Sequence, residues 1–481
     1  MPTYAQVRQR LESVGQAHLL QFYNQLSSHD QDSLLRQIDA LDLEAIPALV
    51  EQYVKNKPAA HLPDDPDAVQ PAPYIPFDGQ GWDRAAAKQA GEALIRAGKV
   101  AAFTVAGGQG SRLGFEGPKG CYPAGAVTGK TLFHIFAENL LGVKDRYGIA
   151  PPWYIMTSPL NHQSTVAYFE EHSFFGLNKS DVMFFPQGVL PSFDMQGKIL
   201  LAAKGEVATN PDGHGGSIRA LHVSGALADM RRRGVEQISY FQVDNPIVRA
   251  IDPVFLGVHL GATARLRAVP SGTAPSSAEM SSKMIKKTGP EEKVGVFCQV
   301  RGQTQVIEYS DLPKAWQEQR QNDGSLRFIA GSIAIHIMSV EFVHRLATDP
   351  QFALPYHRAE KKIPHVDLKT GEVVAPQSIN GVKLERFVFD ALPMCQSSIV
   401  YETDRTEEFA PIKNAAGVDS VESSRQIQTL RAARWLEAIG IKVPPDCTLE
   451  LSPRTATTAE ELAAKKDKLP RTIEPGARLA L

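Results

Sequence analysis

One glycine-rich run carries the densest chemical signal of this 481-residue sequence: Val105-Ala-Gly-Gly-Gln-Gly-Ser-Arg-Leu-Gly-Phe-Glu-Gly-Pro-Lys-Gly120. It follows directly on Val100–Val105, a short apolar stretch of the buried-strand type. Gly107, Gly108, Gly110 and Gly114 let the backbone take positive φ and approach a ligand with no Cβ in the way. Exposed N–H groups in such a turn form a concavity that accepts anions. Arg112 and Lys119 lie seven residues apart on the same loop. The first offers a planar fork and the second a point charge, and both suit a polyphosphate. The alternative is a glycine-rich turn flanked by two solvated cations. Two other phosphate motifs fit poorly. A dinucleotide fingerprint needs a third glycine where Leu113 stands. A Walker loop drawn through Ala124-Gly-Ala-Val-Thr-Gly-Lys-Thr131 has Ala124 in the first glycine position and opens in the wrong strand context, so Lys130 caps or flanks the helix that begins near Thr131.

The elements that must position this loop are legible as strand–loop–helix grammar. Buried-type strands are expected at Val100–Val105, Trp153–Thr157, Val182–Phe185, Ile238–Val243 and Ile329–Met338. Helices are expected at Trp82–Ala97, Thr131–Tyr147, from a cap at Asn161 to Glu171, and at Ser217–Arg233. Alternation at these lengths implies right-handed crossovers and a largely parallel sheet covered on both faces, an α/β protein. Val294–Tyr309 alternates apolar and polar residues around Arg301-Gly302 and reads as a hairpin added to the sheet. Ahead of this core, Val7, Leu11 and Val14, then Leu19, Phe22, Tyr23 and Leu26, then Leu34, Ile38, Leu41 and Leu43, mark an N-terminal helical segment. Six prolines between Lys57 and Pro76 make the next stretch an extended connector. The C-terminal part has a strand at Ser397–Tyr401 and a helix at Ser423–Ile439. The division expected is residues 1–90 for the helical segment and connector, 91–395 for the catalytic domain and 396–481 for a small C-terminal domain.

Composition narrows the function classes. Lys plus Arg is 51 against 53 Asp plus Glu, a formal charge of −2 that gives no electrostatic case for nucleic acid or an anionic membrane. No apolar run approaches the ~18 residues of a bilayer span. The N-terminal residues lack the apolar core of a signal peptide. The four cysteines lie far apart, which reads as incidental thiols of a cytoplasmic protein.

Ala106-Gly-Gly-Gln-Gly-Ser-Arg-Leu-Gly114 with Pro118-Lys-Gly120 resembles the nucleotide-binding loop of sugar-nucleotide pyrophosphorylases. Further segments match in order: Phe185-Pro-Gln-Gly188, Pro211-Asp-Gly-His-Gly-Gly216, Gln242-Val-Asp-Asn245, Val306-Ile-Glu-Tyr309, Asn380-Gly-Val-Lys-Leu-Glu-Arg-Phe-Val-Phe-Asp390 and Phe409-Ala-Pro-Ile-Lys-Asn414. The whole, over residues ~100 to ~415, is similar to the UDP-N-acetylhexosamine pyrophosphorylase branch of the UDP-glucose pyrophosphorylase superfamily. The resemblance implies a Rossmann-like nucleotide-diphospho-sugar transferase (GT-A-like) core with a mixed sheet. It implies UTP and a sugar 1-phosphate as substrates, a UDP-sugar and pyrophosphate as products, and Mg²⁺ as cofactor. No covalent intermediate is required; alignment of two mutually repelling anions and neutralisation of spreading charge are.

Residue by residue, the resemblance places Gly107, Gly108, Gln187 and Gly213 around uracil and ribose, and Arg112 and Lys119 on the phosphates. It places Asp244 on Mg²⁺, with a cap of the following loop as the alternative. Lys383 and Lys413 would contact UTP and the substrate phosphate, and Glu308 would accept sugar hydroxyls. Surface lysines, a surface glutamine and a solvated glutamate are the plain readings of these positions. His214, Ser332 and Ile335 stand where hexosamine-type members usually carry asparagine. The sugar-facing contacts therefore depart from the pattern while the UTP and phosphate motifs are kept, which leaves open UDP-N-acetylglucosamine, UDP-glucose or several UDP-sugars as product. A glycosyltransferase that releases UDP, or a non-catalytic sensor, are the rival readings.

Overall fold

The apolar runs become neighbouring strands of one sheet. The chain is described by a computed structural model at residues 2–56, 68–261, 278–349, 351 and 353–481. Ten strands form the large sheet: β1 (Val69–Pro71), β2 (Val100–Val105), β3 (Trp153–Thr157), β4 (Val182–Pro186), β5 (Gln237–Gln242), β6 (Met280–Lys286), β7 (Val296–Val300), β8 (Gln303–Ile307), β9 (Ala330–Ser339) and β10 (Ser398–Glu402). β5, β2, β3 and β4 lie side by side and parallel. β9 runs antiparallel to β5, β6 and β7, and β6 pairs parallel with β10. β7 and β8 form the hairpin expected around Arg301-Gly302, both at positive φ. The sheet is therefore mixed, in an α/β arrangement.

β3 is buried at all five positions, as a strand covered on both faces must be. Helix Arg84–Arg96 packs on helix Pro253–His259 at a separation set by two glycines. A Cβ on Gly91 would lie 1.8 Å from the Pro253 carbonyl oxygen, and one on Gly257 would lie 1.7 Å from that of Ala87. Phe133, Phe136, Trp153, Phe169 and Phe241 are the large residues of the core. Each contributes about 1.5–3 kcal/mol by leaving water.

The chain divides into two compact units that differ from the three consecutive parts expected. One comprises Met1–Leu62, Gln187–Ser217 and Ala353–Asp390; the other comprises Pro63–Pro186, Ile218–Phe352 and Ala391–Leu481. In the first, Val7, Leu11, Leu34 and Ile38 share a core with Phe193, Val382 and Leu384. The N-terminal helices are thus covered by strands from far along the chain, contacts that no local pattern encodes. In the second, β10 completes an edge of the large sheet, so a boundary at residue 396 does not separate it from the core. Helix Val421–Ala438 buries Ala432, Trp435 and Leu436 against Leu449 and Leu462, an apolar cluster within this unit.

Local differences have local causes. Leu19–Leu26 forms two 3₁₀ turns, Ala17–Leu20 and Tyr23–Gln25, instead of an α-helix. The helix expected at Ser217–Arg233 is two, Gly216–Val223 and Ala226–Arg232, broken where Gly225 takes φ +82°. Residues 57–67 of the proline-rich connector lie outside the described residues. Its later part is β1, an edge strand, where the N–H that Pro71 lacks is not needed. Among the described residues no helix is long and apolar enough to cross a membrane.

Candidate active site

β2 and β5 end side by side, with Val105 opposite Gln242. The chain proceeds from β2 to β3 and β4 on one flank, whereas β5 occupies the other flank of β2. Open α/β sheets take ligands in the crevice at the carboxyl ends of strands where the order reverses in this way. The glycine loop leaves β2 at that crevice, and Asp244 leaves β5.

The loop is a tight excursion held at its neck. Lys119 N–H donates to the Gly108 carbonyl at 3.0 Å and Gly110 N–H to the Gly117 carbonyl at 2.9 Å. Gly114 takes φ +68°, in the left-handed region that favours glycine. A Cβ on Gly120 would lie 2.1 Å from the Phe133 ring, so close packing demands that glycine. Gly107, Gly108 and Gln109 donate no backbone hydrogen bond among the described residues, which leaves three consecutive N–H groups for an anion. The side chains of Arg112, exposed, and Lys119, half-buried, have no hydrogen-bond or ion-pair partner among the described residues.

A cleft of about 70 Å³ in the same unit is lined by Gln242, Asp244, Ser332, Ile335, Phe409 and Lys413, which brings together four residues singled out in the sequence. Ser332 and Ile335 are three apart on β9, an odd spacing that would put them on opposite faces of a regular strand. Ala334 takes φ +54°, and the pairing with β6 shifts register between Ser282 and Met284. This irregularity lets both residues border one cleft. Glu308, just past β8, is admitted by Gly295, where a Cβ would lie 2.9 Å from its Oε1. Gly295 in turn accepts the Ser332 N–H at 2.8 Å, which sets Glu308 beside the start of β9.

The half-buried carboxylate of Asp244 has no partner among the described residues. Among those residues no group of three His, Cys, Asp or Glu side chains could hold a metal by itself. Mg²⁺ takes one or two carboxylates and completes its shell with water and substrate phosphate, and Asp244 fits that donor set. Asp419, which the sequence reading missed, stands nearby. Its Oδ2 is 4.0 Å from Lys413 Nζ. Burial, then the charge of Asp244, push its carboxyl above the usual range, against the pull of Lys413.

The segment that carries Lys413 is held by buried charge. Asn245 donates to the Glu408 carbonyl at 2.6 Å and accepts from Ala410 N–H at 3.1 Å, while Ile412 N–H donates to the Asp244 carbonyl at 2.8 Å. Lys283, fully buried, donates to Asp252 at 2.6 Å and to Glu408. Arg249 reaches Glu407 at 3.2 Å, and the Trp435 indole donates to the same carboxylate at 3.0 Å. Burial works against charge on Asp252, but Lys283 and Arg249 outweigh it and hold its carboxyl well below the usual range. None of Arg249, Asp252, Lys283, Glu407 and Glu408 stood out in the sequence; charged residues scattered over nearly 160 positions give no local signal.

The remaining designated residues lie in the first unit. Gln187 is buried. Gly213 takes φ +70°, and a Cβ there would lie 2.4 Å from the Arg386 carbonyl oxygen. His214 stacks on Phe387 at 5.1 Å between centroids, and its Nδ1 accepts the Val388 N–H at 3.1 Å. Burial, with a smaller push from His357, lowers its pKa to about 4, so the ring is neutral near pH 7 and only Nε2 is left for a ligand. Lys383, half-buried, sits on strand Gly381–Glu385 opposite Ala359 and has no side-chain partner among the described residues. His357, which the sequence does not single out, pairs with Asp390 at 2.7 Å in this unit.

A family model described as UTP–glucose-1-phosphate uridylyltransferase matches residues 49–433. UDP-N-acetylhexosamine pyrophosphorylase-like protein 1 of Homo sapiens is 36% identical over 499 residues, covering 96% of this chain and 94% of that protein. UDP-N-acetylglucosamine pyrophosphorylase of Saccharomyces cerevisiae is 34% identical over 478 residues, covering 96% and 97%. The uridine diphosphate N-acetylglucosamine pyrophosphorylase of Trypanosoma brucei, solved with an inhibitor, has a TM-score of 0.79 at 25% identity and covers 97% of this chain and 96% of that one. A UDP-glucose pyrophosphorylase mutant of Leishmania major shares the fold, with a TM-score of 0.59 at 15% identity over 95% of this chain and 98% of the other. The chain belongs to the UTP–glucose-1-phosphate uridylyltransferase family and is an enzyme of that family.

Proposed function

We propose that the chain is a Mg²⁺-dependent UDP-sugar pyrophosphorylase, most like UDP-N-acetylglucosamine pyrophosphorylase, located in the cytoplasm. The observation that carries the reading is the set of charges at the carboxyl ends of β2 and β5 that have no partner among the described residues. Arg112 and Lys119 present positive charge from a loop with three N–H groups that donate no backbone bond among the described residues, and Asp244 presents a carboxylate with no partner among them. A nonbridging oxygen of the sugar 1-phosphate attacks the α-phosphorus of UTP. The bond from that phosphorus to the oxygen bridging to the β-phosphate breaks, and the electron pair leaves with pyrophosphate. Arg112 and Lys119 take up the charge that grows on the leaving group, and Lys413 holds the attacking phosphate in line. Gly107, Gly108, Gln187 and Gly213 hold the nucleoside, and Lys383 a UTP phosphate. Mg²⁺, held by Asp244, would supply a Lewis acid for the phosphate oxygens.

Glu308, His214, Ser332 and Ile335 contact the sugar. Ile335 is buried and apolar, and Ser332 is short. Such a wall discriminates weakly against a missing acetamido group. A second reading, a broad or glucose-directed UDP-sugar pyrophosphorylase, is favoured by this observation. The test is UTP with a panel of gluco- and galacto-configured sugar 1-phosphates, N-acetylated and not, assayed for pyrophosphate. Release of UDP in place of pyrophosphate would indicate a glycosyltransferase, and binding with no turnover a sensor.

A further inference from the structure

Asn161 lies outside every segment that resembles a known motif. The sequence suggests a helix cap, but its side chain makes no capping hydrogen bond to helix His162–Glu171. The side chain is fully buried and turns instead to the glycine loop. Its Nδ2 donates to the carbonyl oxygens of Ala106 at 3.1 Å and Gly108 at 3.3 Å. Its Oδ1 accepts from Ser158 N–H at 2.8 Å and Ser158 Oγ at 3.0 Å. Both ends of the amide are saturated, and the orientation is forced. A backbone N–H can only donate to the oxygen end, and two carbonyls can only accept from the nitrogen end.

The consequence for the loop follows from peptide geometry. In a planar trans peptide the C=O and the N–H point in opposite directions. Drawing the Ala106 and Gly108 carbonyls inward therefore turns the N–H groups of Gly107 and Gln109 outward. These belong to the run of three that donates no backbone bond among the described residues. The Gly108 carbonyl also accepts from Lys119 N–H, so one oxygen ties Asn161 to the backbone of the lysine at the far end of the loop. Without Asn161, the Ala106 carbonyl would have no partner among the described residues and the Gly108 carbonyl would keep only the Lys119 N–H. The Ala106–Gly107 peptide would be free to rotate and the Gly108–Gln109 peptide less firmly held, and the anion-accepting concavity would have to be completed when the ligand arrives.

We propose that Asn161 is a positioning residue that pre-organises the glycine loop for a nucleoside triphosphate. It acts through the peptide planes at Ala106 and Gly108 and touches no substrate itself. The inference rests on the reading of this loop as the triphosphate cradle.

The experiment uses the full-length enzyme. Binding of UTP and KM for UTP and for sugar 1-phosphate are measured in native protein, Asn161→Ala, Asn161→Asp and the neighbouring control Ser158→Ala, each with its thermal midpoint. Loss of the two donated bonds should weaken UTP about tenfold or more in Asn161→Ala, while KM for the sugar 1-phosphate stays within about twofold. Ser158→Ala, which keeps both bonds to the loop, should leave UTP binding within about twofold of native. Asn161→Asp is isosteric and sets a carboxylate against two carbonyl oxygens. Its UTP defect, relative to native at the same pH, should shrink as the pH is lowered and protonation restores one donor. A merely structural role would lower the active fraction and the thermal midpoint with KM unchanged and no such pH rescue. That outcome, or native UTP binding in both Asn161 variants, overturns the inference. If native enzyme itself binds no UTP, the reading of the loop fails, which is a separate result.

Discussion

Two sets of charged side chains share the large unit and are treated in opposite ways. Arg249, Asp252, Lys283, Glu407, Glu408 and Arg431 are buried, three cations against three anions, and each has a protein partner. Arg112, Lys119 and Asp244 are partly or fully exposed at the strand ends and have none among the described residues. In the buried set Lys283 and Arg249 sit against carboxylates and Arg431 against backbone carbonyls, so charge that serves packing is met within the fold. Against that, the set at the crevice without partners among the described residues is the one to which the proposed function assigns ligands. The buried set reaches Asp244 through its neighbour Asn245, whose amide donates to the Glu408 carbonyl, so the paired cluster braces the strand end that carries this carboxylate.

The contrast is most sharply tested by breaking the paired set. Glu408→Ala would leave Lys283 buried with one of its two carboxylates gone. It should cost about 3–5 kcal/mol of stability, read from the urea midpoint at neutral pH. A native midpoint would show that the cluster carries no stability. Arg112→Ala and Lys119→Ala should do the reverse, keeping the midpoint while lowering turnover by about 10²- to 10³-fold, worth about 2–4 kcal/mol in the transition state. Near-native rates in both would remove the phosphate role. Asp244→Asn should retain the fold but lose Mg²⁺ activation together with most of the activity, because a neutral amide is a poor ligand for a hard cation. A metal titration unchanged from native would exclude Asp244 as the ligand.

Smaller effects separate the residues proposed for the sugar from those proposed for the phosphates. His214 titrates at about 4 in the folded chain, below the ~6.5 of an unfolded histidine. Between those values the unfolded chain binds the proton and the folded chain does not. Its contribution to stability is therefore present above pH ~6.5 and is lost as the pH falls toward 4. Asp252, held low by Lys283, adds a further loss only below the unfolded aspartate value of ~3.9. Unfolding free energies of native and His214→Asn proteins, compared from neutral to mildly acidic pH, should show a smaller pH slope in the variant. An equal slope would place the proton uptake elsewhere. The smallest effect expected is on selectivity. His214→Asn should alter the ratio of kcat/KM between N-acetylated and plain sugar 1-phosphates, within the ~10- to 200-fold that one small contact can discriminate, and leave UTP binding nearly unchanged. If the ratio holds, other residues read the sugar.

What the sequence determined was local. The buried-strand runs at Val100–Val105, Trp153–Thr157 and Ile238–Val243, the hairpin at Arg301-Gly302, and the glycine loop with Arg112 and Lys119 follow from burial period and backbone freedom along neighbouring residues. These are properties that a short stretch of chain carries with it. Tertiary structure decided whatever joins distant residues. The register shift near Ala334 brings Ser332 and Ile335 to one cleft, and Asn245 meets Glu408 and Ala410 more than 160 positions away. The N-terminal helices find their cover on strands near residues 193 and 382. Asn161 looks like a cap when read alone, because Asn before a helix usually is one. Only the packing of that helix start beneath the glycine loop gives its amide two carbonyls to hold, a stronger use of a fully buried group than an exposed cap.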